Sequence, residues 1–316
     1  GIGERNILNA LAKHKASTDH FLGKNYDLTL PDDFELSGDF LAGFNAIEGT
    51  DQNLYITGEA GTGKTTLLKY FRLHTRKKYV VLAPTGIAAI NSRGQTIHSF
   101  FRFPPKLIQK EHVRKVFDKR DVFESLELLI IDEASMMRAD LMDGIDHALR
   151  LNKGKSRKPF GGVQVVLFGD LFQLPPIVDR DMAGVYNSLY ETPYFFSAQV
   201  FKKVKFRKLN LEKIYRQKDQ GFKVLLNKIR NRSVTADEMK LLNVRVAPQL
   251  CETAHDCITL TPTNAAAKAI NDTRLAKLKG EEFVYEAVCE GEFDEKSYPT
   301  ETALRLKKGS QVLMIR

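Results

Sequence analysis

The sequence predicts an α/β protein built on parallel sheet covered by helices on both faces. Three observations carry that expectation. First, short apolar runs rich in β-branched residues recur along the chain: Tyr79-Val80-Val81-Leu82, Leu128-Leu129-Ile130-Ile131 and the run 163–168. Strands that are apolar throughout are buried on both faces, as in parallel sheets. Second, Asn53-Leu54-Tyr55-Ile56-Thr57 reads as a strand ending in a glycine turn. Third, Lys64 to His74 reads as a helix with Leu67, Leu68 and Phe71 on one face.

The 316 residues accommodate two domains at ~100–200 residues each. Residues 1–35 are polar and mixed and read as an N-terminal extension. A first core is expected over 36–200. Within it, the stretch 103–123 carries Pro104-Pro105 followed by Lys106, Lys110, Arg114, Lys115, Lys119 and Arg120. It reads either as a solvated basic face or as an element that meets phosphates. A run from Lys202 to Lys218 holds eight bases and one acid and opens a second region over 201–316. There Cys257-Ile258-Thr259-Leu260 reads as a strand and Asn264 to about Leu278 as a helix. Residues 281–295, with seven acids and no base, read as an exposed excursion, and Gln311–Ile315 as a last strand.

Composition excludes several classes. With 43% hydrophobic and 28% charged residues the chain is globular, neither collagenous nor disordered. No run of eighteen apolar residues exists, so no transmembrane helix is expected. The first residues lack the basic-then-apolar layout of a secretory signal. Three cysteines, Cys251, Cys257 and Cys289, are too few for a disulfide framework and too loosely spaced for structural zinc. Reduced thiols point to a cytoplasmic or nucleoid-associated protein. The net charge of +9 points to a polyanion partner, weakly by itself.

The strongest chemical signal is Gly58-Glu59-Ala60-Gly61-Thr62-Gly63-Lys64-Thr65, which fits G-x-x-x-x-G-K-[ST] between a predicted strand and a predicted helix. Gly58, Gly61 and Gly63 allow backbone angles that turn successive N–H groups inward around phosphate oxygens. The helix start, with Thr62, Lys64, Thr65 and Thr66, adds its positive end. Lys64 supplies charge for the β- and γ-phosphates, and Thr65 a hydroxyl for Mg²⁺. Asp132-Glu133, at the end of the third apolar strand, supplies the second half. Asp132 suits Mg²⁺ and Glu133 suits activation of the attacking water. The pair indicates a P-loop NTPase that uses Mg²⁺ and ATP, but not what the energy drives.

Further segments narrow the class. Ala83-Pro84-Thr85-Gly86, Gly94-Gln95-Thr96-Ile97-His98-Ser99-Phe100-Phe101, Asp132-Glu133-Ala134-Ser135-Met136, Pro159-Phe160-Gly161-Gly162, Gly169-Asp170-Leu171-Phe172-Gln173-Leu174-Pro175-Pro176 and Tyr215-Arg216-Gln217 together resemble the Pif-one family of DNA helicases, in superfamily one beside the RecD helicases. The resemblance runs from about Phe34 to the C-terminus. It implies tandem RecA-like cores, the second incomplete in this chain, and 5′-to-3′ movement on single-stranded DNA driven by ATP. It implies that Gln173 senses the γ-phosphate and that Arg216 is an arginine finger. It places Pro84, Thr85, Gly86, Thr96, His98 and Phe100 against the strand, with Thr261, Thr263 and Asn264 as the matching grip of the second core. By position, 103–123 resembles the wedge that meets forked duplex DNA.

Some alternatives stay open. Phe101 and Phe103 also suit core packing, and His98 a buried, hydrogen-bonded imidazole. No Gln lies in Leu36-Ser37-Gly38-Asp39-Phe40-Leu41, where the family carries an adenine-reading one. The family's second arginine and its closing DNA-binding motif are also absent from this sequence. These departures suggest a shortened helicase. The rival readings are an ATP-gated single-strand binder without unwinding and a P-loop ATPase acting on protein. The sequence sets no oligomeric state.

Overall fold

The computed structural model describes residues 29–30, 34, 36–59, 61–212, 219–247, 258–288 and 300–312. The chain forms two compact units that divide between Ser233 and Val234. Of the predicted N-terminal extension only 29, 30 and 34 fall among these residues. Tyr215, Arg216, Gln217 and all three cysteines lie outside them.

The first unit is a six-stranded sheet of β1 (Asn53–Gly58), β2 (Tyr79–Ala83), β3 (Gln95–Thr96), β4 (Leu128–Ile131), β5 (Gln164–Phe168) and β6 (Phe206–Leu211). Their spatial order is β3-β2-β4-β5-β1-β6, with every pairing parallel. The predicted α/β class with a P-loop core is therefore correct. β2, β4 and β5 are buried at every residue, which explains the apolar sequence of β2 and β4 and of β5 after Gln164. On one face, α1 (Gly38–Glu48) and α2 (Lys64–His74) bury Phe40, Ile47, Leu67, Leu68 and Phe71 against Leu54, Ile56, Val81, Ile130 and Val166. On the other, the cluster joins Val80, Leu82, Leu129, Ile131 and Val165 to α4 (Ile97–Phe101), α5 (Arg120–Ser125) and α6 (Ala139–Asn152).

Helix α6 anchors three loops through one buried stripe of acids. Asp140 accepts from Ile108 N at 2.8 Å, and Asp143 from Gln199 N and Val200 N at 2.9 Å each. Asp146 accepts from Phe160 N at 2.6 Å. Spacing of three keeps the carboxylates on neighbouring turns of one face. Arg138 pairs with Asp140 and Arg150 with Asp146, each at 2.8 Å, so these two burials are charge-compensated. Asp143 takes the Tyr190 hydroxyl at 3.0 Å. Burial, helped by this carboxylate, pushes the Tyr190 phenol well above its ordinary value.

Three differences from the sequence reading concern this unit. The run that was to open a second core at 201 contributes β6, which pairs with β1 from Asn53↔Phe206 to Gly58↔Leu211. Its largely exposed pattern is that of an edge strand, and Arg207 and Lys208 keep that edge hydrophilic. Helix α8 (Gln220–Arg230) also belongs to the first unit, after α3 (Gly86–Asn91) and α7 (Arg180–Leu189). The stretch 103–123 packs Phe103, Ile108, Val116, Val122 and Phe123 into the main core. Lys106, Lys110, Arg114 and Lys115 are exposed. Lys119 is buried instead, donating to Ser99 O and Phe100 O.

The second unit contains α9 (Ala236–Asn243), α10 (Asn264–Lys277) and an antiparallel pair of β7 (Glu282–Glu286) and β8 (Ala303–Lys307). The helix expected from Asn264 is present. Ile258, Thr259 and Leu260 are not strand, and neither are Gln311 and Val312. Ile258 and Leu260 are exposed here, with no neighbouring strand to pair with among the described residues. The acidic stretch is exposed as expected over 281–288, but part of it is β7.

Candidate nucleotide site and adjoining strand-tip surface

In a parallel sheet all C-terminal tips lie on one edge, where ligands of open α/β sheets bind. That edge carries, in spatial order, Thr96 at the end of β3, Pro84 after β2, Asp132 after β4, Asp170 after β5 and the loop after β1. Neighbouring strands lie about 4.8 Å apart, so the sequence-distant motifs become adjacent. Asp132 N donates to Leu82 O at 2.9 Å and Gly169 N to Ile56 O at 3.1 Å, which ties these tips together.

The glycine loop closes onto α2. Gly61 and Gly63 have φ of 84° and 86°, the left-handed region that side chains resist. A Cβ on Gly58 would stand 2.5 Å from Thr62 Oγ1 and 2.6 Å from Leu211 O, so that position has no room for one. Thr62 is buried, its hydroxyl donating to Glu59 O at 2.9 Å. Helix α2 has no side-chain N-cap and no acid in its first turn. Its leading N–H groups thus keep their affinity for an anion. Lys64 Nζ lies over the loop, donating to Gly58 O at 2.7 Å and Glu59 O at 3.0 Å. Thr65 is exposed and Thr66 half-buried beside it.

Electrostatics couple this loop to the acids. Burial holds the Lys64 ammonium below its ordinary value, and Arg230 pushes the same way; Asp170, Glu133 and Asp132 oppose the shift. Burial raises the Asp132 carboxyl to about 6, and the charge of Glu133 adds to the rise. Glu133 N donates to Asp132 Oδ1 at 3.0 Å, partly opposing it. Glu133 itself has a φ of 51°, an unusual angle for a residue with a Cβ. Gln173 is exposed, with its amide nitrogen 3.2 Å from Asp170 Oδ2. Thr65 and Asp132 are hard oxygen donors at the phosphate loop, and they fit Mg²⁺. That ion commonly takes one or two protein oxygens and completes its shell with phosphate and water.

The expected strand-contacting residues fall on the β2–β3 side of the same edge. Leu82 pairs with Gln95 and Ala83 with Thr96, which sets Pro84 beside Thr96. The Thr85 hydroxyl caps α3 through Ala88 N and the Thr96 hydroxyl caps α4 through Ser99 N, each at 3.2 Å. Gly86 is exposed. His98 is half-buried, and its imidazole is held below the usual value by burial and by Arg138. It lines a concavity of about 600 Å³ with Arg102, Lys106 and Arg114.

Phe100 is corrected. It is 0% exposed and packs against Phe101 and Phe123 at 4.9 and 5.2 Å between ring centroids. A ring closed in on all sides offers no face for base stacking. Its position three residues into a short amphipathic helix turns it inward, with Phe101 and Phe103. Thr261, Thr263 and Asn264 belong to the second unit, where Thr263 caps α10 by accepting from Ala266 N at 3.2 Å. Arg216 lies outside the described residues. Sequence reasoning missed the paired acid and base at Gln173. Asp170 stood inside a quoted motif without a role, and Arg230 carried no local signal.

The family model for PIF1-like helicases matches residues 42–240. The chain belongs to the PIF1-like helicase family. An ATP-dependent DNA helicase PIF1 of Emericella nidulans is 32% identical over 292 residues, covering 86% of this chain and 38% of that protein. A solved structure described as DNA unwinding at forked dsDNA by two coordinating Pif1 helicases superposes with a TM-score of 0.76 at 38% identity. It covers 87% of this chain and 65% of that one. A Bacteroides Pif1 helicase in complex with ADP-AlF3 and ssDNA gives 0.73 at 37% identity, over 87% and 64%. This PIF1-like chain thus spans about two fifths of that curated relative and under two thirds of those solved chains.

Proposed function

We propose that this chain carries the nucleotide-hydrolysing core of an ATP-dependent DNA helicase that moves 5′ to 3′ along single-stranded DNA and acts at forked duplex. One observation carries the reading. The phosphate loop, Asp132-Glu133 and Gln173 converge on the tips of β1, β4 and β5, while Pro84, Thr85, Gly86, Thr96 and His98 occupy the adjoining tips of the same sheet. Family membership supports the chemistry, and the relatives' named ligands support the substrates.

In this mechanism the N–H groups of Gly61, Thr62 and Gly63, with the α2 N-terminus, cradle the phosphates of ATP. Lys64 leaves the Gly58 and Glu59 carbonyls for the β- and γ-phosphates. Thr65 and Asp132 would hold Mg²⁺, which neutralises charge on the phosphate oxygens when bound. Glu133 accepts a proton from the attacking water, and Gln173 reads the terminal phosphate. Arg216 supplies a guanidinium to the transferred phosphoryl, an effect worth ~10³–10⁵ in rate in related chemistry. Thr85, Gly86, Thr96 and His98 meet the strand on one core, and Thr261, Thr263 and Asn264 on the other. Nucleotide-driven closure between the two grips steps the strand. In the concavity that His98 lines, Arg102, Lys106 and Arg114 outnumber the one acid, Glu111, an excess that suits the strand's phosphates.

The test is the ATPase rate with and without a single-stranded oligonucleotide, on the parent and on Lys64→Ala. DNA-stimulated turnover that Lys64→Ala abolishes is the expected result. A Lys64-dependent rate indifferent to DNA would move the reading to an ATPase acting on protein.

A further inference from the structure

Asp170 follows β5 and is 1% exposed. Arg230, the last residue of α8, meets it as a fork. Its Nη1 donates to Oδ2 and its Nη2 to Oδ1, both at 2.7 Å. The same carboxylate accepts from Phe172 N at 3.1 Å and from Gln173 Nε2 at 3.2 Å. The guanidinium carbon lies 4.1 Å from the centre of the Phe172 ring, within cation–π range. The Tyr55 hydroxyl is buried beside this group, near Thr57 and the Leu171 backbone, and it feels both charges. Five side chains from β1, the β5 tip and α8 therefore converge next to the phosphate loop.

We propose that Arg230 is a positioning residue of the nucleotide site, orienting Asp170 and through it the Gln173 amide toward the terminal phosphate of a nucleoside triphosphate. The proposal rests on the nucleotide-hydrolase reading above. The geometry is specific in two ways. A bidentate fork fixes the plane of the carboxylate, which a single point charge does not. That plane fixes where Gln173 Nε2 is held, leaving the second amide hydrogen and Oε1 for a ligand.

Charge gives the second argument. Held at 2.7 Å from the carboxylate, the Arg230 guanidinium offsets part of the Asp170 charge that faces the phosphate loop. Without the guanidinium, a buried carboxylate faces Lys64 uncompensated and competes with phosphate for it. Removing one partner of a buried pair is costly for this reason. A residue 60 positions from Asp170 thereby controls both groups expected at the γ-phosphate. A clasp that merely fastened α8 would have no connection to Gln173.

The experiment measures affinities for ADP and for a non-hydrolysable ATP analogue, both with Mg²⁺. It uses the 316-residue chain as parent, Arg230→Ala, Arg230→Lys, Gln173→Ala and the Arg230→Ala/Gln173→Ala double variant. Arg230→Lys keeps the charge that folding needs and removes only the fork. The parent is expected to prefer the analogue. In both Arg230 variants that preference falls about tenfold; ADP affinity stays within about twofold in Arg230→Lys and falls in Arg230→Ala, where the uncompensated Asp170 competes for Lys64. Gln173→Ala gives the same loss, and the double variant is no worse than either single one, as for two residues acting through one contact. Equal loss of both nucleotides, an additive double variant, or full preference in Arg230→Lys would overturn the proposal. A parent that binds nucleotide through Lys64 without preferring the analogue overturns it alone. A parent that binds no nucleotide overturns the functional reading as well.

Discussion

Replacing Asp132 by Asn should stabilise the free protein, by an amount set by pH. The Asp132 carboxyl is raised from 3.8 to about 6, by burial first and by the neighbouring Glu133 charge second. The sign follows from linkage. Below pH 3.8 the group is protonated whether the chain is folded or not, and its titration contributes no difference. Between 3.8 and about 6 the unfolded chain releases the proton while the folded chain retains it, and stability is lost as pH rises. Above about 6 the loss is complete, and at 1.36 kcal/mol per pK unit it amounts to about 3 kcal/mol. Asn removes the charge and can still accept from Glu133 N, which lies 3.0 Å from Asp132 Oδ1. For a unit of this size the gain corresponds to roughly 6–12 °C in Tm.

The assay is urea denaturation of parent and variant at pH 3.5 and pH 8. It is followed by circular dichroism, because the chain has no Trp. Stabilisation of about 3 kcal/mol at pH 8 that disappears at pH 3.5 is the expected result. A gain equal at both values would mean that packing, not the buried charge, is responsible. A loss at pH 8 would refute the reasoning outright. The variant should also lose Mg²⁺-dependent nucleotide affinity, because the cost removed is that of holding a dehydrated carboxylate ready for a cation.

Two further outcomes follow from the core. Phe100→Ala should lower stability by about 3–5 kcal/mol, as for buried aromatic truncations, readable as a shift in the urea midpoint; unchanged stability with lost DNA affinity would restore the stacking role. Asp143→Ala strands the buried Val200 N–H and the partly buried Gln199 N–H and should cost on the order of 2–4 kcal/mol. Asp143→Asn, which keeps an acceptor, should recover part of that in the same assay.

The parts legible in the sequence are those encoded locally. β2, β4 and β5 announce themselves because burial on both faces demands nearly continuous apolar runs, and the glycine loop because its glycines meet distinct backbone demands. What escaped is what depends on partners. β6 has the exposure and positive charge of a solvated edge, so in sequence it is indistinguishable from a basic linker. Phe100 sits in a motif that suggests DNA, yet its helix points it at Phe123. Ile258 and Leu260 are apolar enough for a strand but have no neighbour to pair with among the described residues. Asp170 was visible as part of a motif, but its partner Arg230 lies a whole strand and helix away.

The aspartate stripe of α6 has a consequence for how such a scaffold can vary. Asp140, Asp143 and Asp146 hold their loops by main-chain N–H groups, which every residue except proline provides. The loops are thus recognised by their backbone paths and not by their side chains. Surface chemistry around residues 109, 158 and 199 can be rewritten almost freely while the paths stay put. A change to one of the three aspartates, by contrast, releases a whole loop whatever its sequence.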